Sequence, residues 1–142
     1  MPATATRRKP RTERAEAVTL KLDLPPLKKG EHYAGIILGK DGAHGDHVIL
    51  LPGEANSVTW EQAKAWAKKI GGELPTRREQ SLLYANLQEQ FKPAWYWSGE
   101  QHAAGSGSAW VQTFGYGDQS LSLLKSFINR ARAVRRVPLV IR

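Results

Sequence analysis

The sequence predicts a single α+β domain with two helices and short, mostly antiparallel, twisted strands, preceded by a disordered basic tail. Three observations carry that prediction. Apolar and polar residues alternate with period two in several short runs. Two segments open on a Thr-x-x-Gln or Thr-x-x-Glu box and continue with helical spacing. The length of 142 residues, with 41% apolar side chains and five Trp, supplies one compact core but not two. We place the tail at residues 1–21 and the domain at residues 22–142.

The formal charge is +8. Residues 1–21 hold six basic and two acidic side chains, so half of the excess sits in the tail. Such a segment attracts a polyanion through counterion release, or is simply a solvated leader. The chain has no Cys, which excludes disulfides, thiolate metal sites and a cysteine nucleophile. No apolar run approaches a membrane span and no signal-peptide core follows Met1, so we expect a cytoplasmic protein with no membrane partner.

Residues 1–17 lack periodicity, and residues 18–24 alternate as a short strand that Pro25 and Pro26 stop. Residues 31–52 read as a hairpin, with strands at 33–38 and 47–51. Its loop holds Gly39, Asp41, Gly42, Gly45 and Asp46. That loop is not a P-loop, because its spacing is wrong and no helix follows. His44, Asp46 and His47 suggest a metal only weakly; a hairpin tip is more often solvated, and we expect no metal and no cofactor.

Thr59 caps the first helix with Gln62 as box partner, and Ala63, Trp66, Ala67 and Ile70 form its apolar face. Lys64, Lys68 and Lys69 face water, and Gly71-Gly72 ends it. Thr76 and Glu79 repeat the box for a second helix reaching about Gln90, with Leu83, Leu87 and Phe91 inward. Glu79 also suits the helix dipole, whereas Arg77 and Arg78 do not, so they need another partner: a carboxylate or a C-terminal carbonyl. A strand at 94–98, a loop at 100–108, a strand at 109–114, a turn at 115–118, a return strand at 119–124 and a last strand at 129–137 complete the chain. Tryptophans interleaved with arginines can stack single-stranded nucleic acid, although such tryptophans are more often core.

By its succession of motifs the chain resembles the DUF1566, or Lcl C-terminal, family. The motifs are LPTRREQSLLYANL, WYWSGEQ, AWVQTF-x-x-GDQ, the isolated Lys125 and RARAVRR, and the resemblance covers roughly residues 33–138. It implies a C-type-lectin-like fold related to formylglycine-generating enzymes. The enzyme branch relies on cysteines, so the resemblance carries over ligand binding and not that chemistry. The family's occurrence in phages makes virion association the other expected location. The chain is also similar to variable proteins of diversity-generating retroelements, whose adenine-rich codons mutate near the C terminus. Ser108, Val111, Thr113, Tyr116, Leu121, Leu123, Phe127 and Asn129 are residues such codons reach, between the fixed-looking Trp110, Phe114, Gly117, Lys125 and Arg130. Ordinary drift places the same residues in surface strands.

Two functions follow as expectations. The first is a non-enzymatic module that binds a protein or glycan through Val111, Thr113, Tyr116, Leu121, Leu123 and Phe127. Leu121, Leu123, Leu124 and Phe127 form an apolar patch with no strict period. Oligomerisation would add avidity, although no coiled-coil heptads are present. The alternative is a nucleic-acid-associated phage inhibitor or regulator using Arg7, Arg8, Lys9 and Arg11 of the tail with Arg130 and Arg132. For the two late arginines, pairing with acidic neighbours is the competing reading. Paired carboxylates, a triad or metal-ligand spacing do not rise above noise, so we expect no catalytic residues.

Overall fold

The computed structural model describes residues 16–19, 22–102 and 105–140, without the side chains of 105, 106, 121–123 and 140. Among the described residues, eight strands and two helices form an α+β fold. The strands are β1 (His32–Leu38), β2 (His44–Leu50), β3 (Ala55–Val58), β4 (Trp95–His102), β5 (Gly105–Thr113), β6 (Gln119–Leu124), β7 (Asn129–Ala131) and β8 (Val134–Val140). The helices are α1 (Trp60–Lys69) and α2 (Arg77–Leu87), the second ending in a 3-10 turn at Gln88–Gln90. One sheet has the order β1-β2-β8 and the other β3-β7-β4-β5-β6. Every pairing is antiparallel except β4 with β7.

Both helix starts are as expected. The Thr59 hydroxyl accepts from the Gln62 N–H, and Gln62 returns a carbonyl to the Thr59 N–H at 2.9 Å. Thr76 and Glu79 form the same reciprocal pair. The α1 end is a Schellman turn: the Gly72 N–H bonds to Ala67 and the Gly71 N–H to Lys68, with Gly71 at φ +89°. Ile70, assigned to the apolar face, is the C-cap and is exposed.

The five-stranded sheet is covered on both faces. On one side Trp60, Ala63 and Ala67 of α1 pack on Trp97, Ala109 and Val111. On the other, Leu83 and Leu87 of α2 pack on Tyr96 and Phe114, and reach Ala34, Val48 and Leu50 of the three-stranded sheet. Strands buried on both faces carry apolar or satisfied side chains at every position. That explains why the aromatic stretch from Trp95 onward lacks a clean alternation.

Three sequence expectations need correction. Residues 18, 19 and 22–24 form no strand, and Val18, Leu22 and Leu24 are exposed; period-two patterning without an edge to pair with does not make a strand. The segment 100–108 is largely strand, because β4 runs to His102 and β5 begins at Gly105. The last strand is two strands in different sheets, broken at Arg132-Ala133 where the chain crosses between them.

The sheet edges are closed by particular devices. On β1 the carbonyls of Ala34 and Leu38 accept from Asn86 and Arg78 of α2. β3 carries a bulge at 56–57 with Ser57 in the left-handed region, φ +53°. β6 bulges between its pairings with Ala109 and Val111. β8 holds Pro138, which has no N–H. Each device spoils a flat ladder that another strand would need.

Candidate binding surface

The expected ligand residues separate into two groups. Val111 is fully buried and Thr113 is 8% exposed, so both are core positions and not contacts; that expectation is corrected. Val111 lies in the core cluster that Trp60, Ala63 and Ala67 of α1 share with Trp97 and Ala109. Tyr116 is 82% exposed and Phe127 49% exposed. Tyr116 lies in the turn before β6 and Phe127 follows its end, bonded to Leu124, so a strand of about 17 Å separates the two positions. They do not build one compact site. The side chains of Leu121 and Leu123 lie outside the described residues.

The basic residues also divide. Arg7, Arg8, Lys9 and Arg11 lie outside the described residues. Arg132 is buried at the crossing between the sheets, where Nη1 donates to Gln90 at 2.6 Å and Nη2 to Leu51 at 3.0 Å. Burial lowers its pKa, and its role is to hold the crossing rather than a phosphate. Arg130 pairs with Glu54 at 2.7 Å and bonds to Asn56. Arg135 pairs with Glu31 at 2.9 Å, and Arg136 with Glu79 at 2.6 Å. Pairing with neighbouring carboxylates therefore accounts for three of these arginines.

Arg77 and Arg78 have partners that the sequence left open. The Arg77 guanidinium lies 3.4 Å over the Trp110 ring and donates to Gln119. Arg78 takes the Leu38 carbonyl, and the Glu100 carboxylate accepts the Arg77 N–H at 2.6 Å. A buried amide chain continues inward: Gln119 donates to Gln112, Gln112 to the Gln80 carbonyl, and Gln80 to Tyr96. These contacts make the LPTRRE and GDQ motifs a structural lock between α2 and the five-stranded sheet. Asp41 and His44 pair at 2.7 Å, while His47 bonds to the Tyr33 hydroxyl at 2.7 Å. Among the described residues no group of three metal-ligating side chains assembles.

What remains outward is the crossover from β6 to β7. Lys125 anchors it: its N–H bonds to Gly107, its carbonyl receives the Trp60 N–H, and Nζ donates to Gln101 at 2.8 Å. On either side of this anchor, Leu124, Phe127 and Ile128 are 48%, 49% and 60% exposed. Trp95, at the start of β4, is 38% exposed and lines a groove with Ile128. Three apolar side chains around one anchored lysine thus form an exposed apolar patch.

Behind the groove lies a charged support. The Tyr96 hydroxyl donates to Glu54 at 2.5 Å, and Glu54 holds Arg130. Burial and the Glu54 carboxylate push the Tyr96 hydroxyl well above its ordinary range, so it stays a donor. Ile128 and Asn129 fall among the variable-looking positions of the sequence, whereas Trp95 and Asn56 were missed as groove residues. The signal available was the run Ser126-Phe127-Ile128-Asn129, apolar residues in a segment too short and irregular to be core.

No protein-family model matches the chain, and no curated protein matches it. Among the described residues no helix is long and apolar enough to cross a membrane.

Proposed function

We propose that the domain is a non-enzymatic ligand-binding module of C-type-lectin-like kind, directed at a protein or glycan. The observation that carries this reading is the exposed apolar crossover, Leu124, Phe127 and Ile128, held by Lys125 and continuous with Trp95. Exposed apolar groups on a rigid frame lose little entropy on contact, which is what a binding surface needs. Three carboxylates of the domain are committed to internal pairs: Glu79 with Arg136, Glu54 with Arg130, Glu31 with Arg135. Diversification, phage origin and virion association belong to the same reading. In it, variable positions sit at Leu124, Ser126, Phe127, Ile128 and Tyr116, not at Val111 or Thr113.

The nucleic-acid alternative loses Arg132 and most of Arg130 to internal contacts, and its weight falls on residues 1–21. The test is binding of the full chain to glycan and peptide arrays, repeated with Phe127→Ala and Tyr116→Ala. We expect a ligand whose capture falls at least tenfold with Phe127→Ala. Ligands bound equally by both variants and by the parent refute the reading.

A further inference from the structure

The groove beside the crossover has features that general stickiness does not require. It has a volume of about 270 Å³ and is lined by Asn56, Ser57, Trp95, Ile128, Asn129 and Arg130, with Ala94 at its edge. Three chain segments converge there: the β3 bulge, the start of β4, and the start of β7. β4 and β7 run parallel, Tyr96 beside Arg130, so their first residues stand side by side.

Three details point to a ligand. First, the Asn129 Nδ2 is buried and has no hydrogen-bond partner. Asn129 lines the groove, so a small turn of its side chain would bring this unpaired donor to an acceptor on a ligand. Second, Ser57 holds a left-handed backbone, φ +53°, in the bulge that turns Asn56 toward Arg130. Such conformations persist at sites where a side chain is re-aimed for use. Third, the polar rim is set in advance: Tyr96 fixes Glu54, and Glu54 fixes Arg130. Beside this rim lies the exposed Trp95 indole, with Ile128 adjoining.

We propose that this groove is the subsite for one pyranose residue of a glycan, a reading that rests on the binding function proposed above. A pyranose has an apolar C–H face and acceptor oxygens around its rim. The indole takes the face; the Asn129 and Asn56 amides take the oxygens, with Arg130 holding Asn56 in place. The groove has room for a single six-membered ring with its substituents. A nucleobase would also stack on Trp95, and it is an outcome of the test.

The experiment uses the full chain with methyl glycosides of glucose, galactose, mannose and N-acetylglucosamine, and with adenosine monophosphate. Saturation-transfer NMR reports contact, and tryptophan fluorescence gives affinity. We expect at least one glycoside to bind with Kd of about 1 mM, with transfer strongest on the protons of one ring face. Trp95→Ala should weaken it tenfold or more, Asn129→Ala about fivefold, and Trp95→Phe should retain most of the binding. Unchanged melting of Trp95→Phe and Asn129→Ala separates site effects from misfolding. No saturable glycoside binding, binding indifferent to Trp95→Ala and Asn129→Ala, or preference for the nucleotide each overturns the proposal. A ligand from the arrays that responds to Phe127→Ala, with no glycoside bound, defeats this proposal alone. Loss of both defeats the underlying reading as well.

Discussion

The Glu79–Arg136 pair joins the first turn of α2 to β8, and it is the contact whose removal should be most informative. Glu79 has 4% of its side-chain surface exposed. It accepts from the Thr76 N–H at 2.8 Å, from Arg136 Nε at 2.6 Å and from Arg136 Nη2 at 2.8 Å. Arg136 also reaches Glu73 at 2.9 Å, but Glu73 is 75% exposed and contributes little. Arg136→Met keeps the aliphatic stem and strands a buried carboxylate, which should cost about 3–4 kcal/mol. Glu79→Gln keeps the cap and one acceptor, and should cost about 2 kcal/mol. In the double variant neither charge is stranded, so its cost should fall short of the sum of the singles by at least about 1 kcal/mol. Urea denaturation followed by tryptophan fluorescence measures all three on the same chain. Single costs that add within about 0.5 kcal/mol would refute the claim that the two charges act as a pair.

Other outcomes follow from neighbouring contacts. Arg135 hydrogen-bonding holds the Glu31 carboxyl down at about 2, against an ordinary value of 4.5. A depressed carboxylate stabilises the fold above its unfolded pKa, so this contribution is intact above pH 4.5 and lost as pH falls toward 2. Acid titration of stability should therefore flatten in that window for Glu31→Gln relative to the parent. Val111→Ala should cost about 2 kcal/mol by calorimetry, whereas Tyr116→Ala should stay within about 0.5 kcal/mol. Gly117→Ala should destabilise by about 1–3 kcal/mol in urea titration, since φ is +83° and a Cβ would stand 2.8 Å from the Tyr84 ring.

Local signals were legible and layer assignment was not. Thr59 with Gln62 and Thr76 with Glu79 mark both helix starts, because capping is a contact between residues three apart. Gly71-Gly72 marks the first helix end for the same reason. Val111 and Thr113 misled because alternation says that two faces differ, not that both are covered. Only the tertiary packing that gathers α1, β4 and β5 into one core cluster decides that for Val111. Arg130 and Arg132 share a spacing that suggests one exposed face, yet the strand breaks at Arg132 as the chain changes sheets. No local pattern records such a crossing. Trp95 and Trp97 have the same residue type and parity but opposite fates, because α1 and Val58 reach Trp97 and stop short of Trp95. The crossover at 124–128 was partly readable, since its apolar residues follow no period that a core would impose.

The closed sheet edges bear on how far this surface can change. Asn86 and Arg78 occupy the outer carbonyls of β1, and bulges bend β3 and β6. Substitutions at 124–128 therefore alter what the molecule touches without presenting it with a new strand to recruit. Edges blunted in this way disfavour strand pairing between copies. The exposed side chains of Leu124, Phe127 and Ile128 can therefore change without baring an unpaired strand edge.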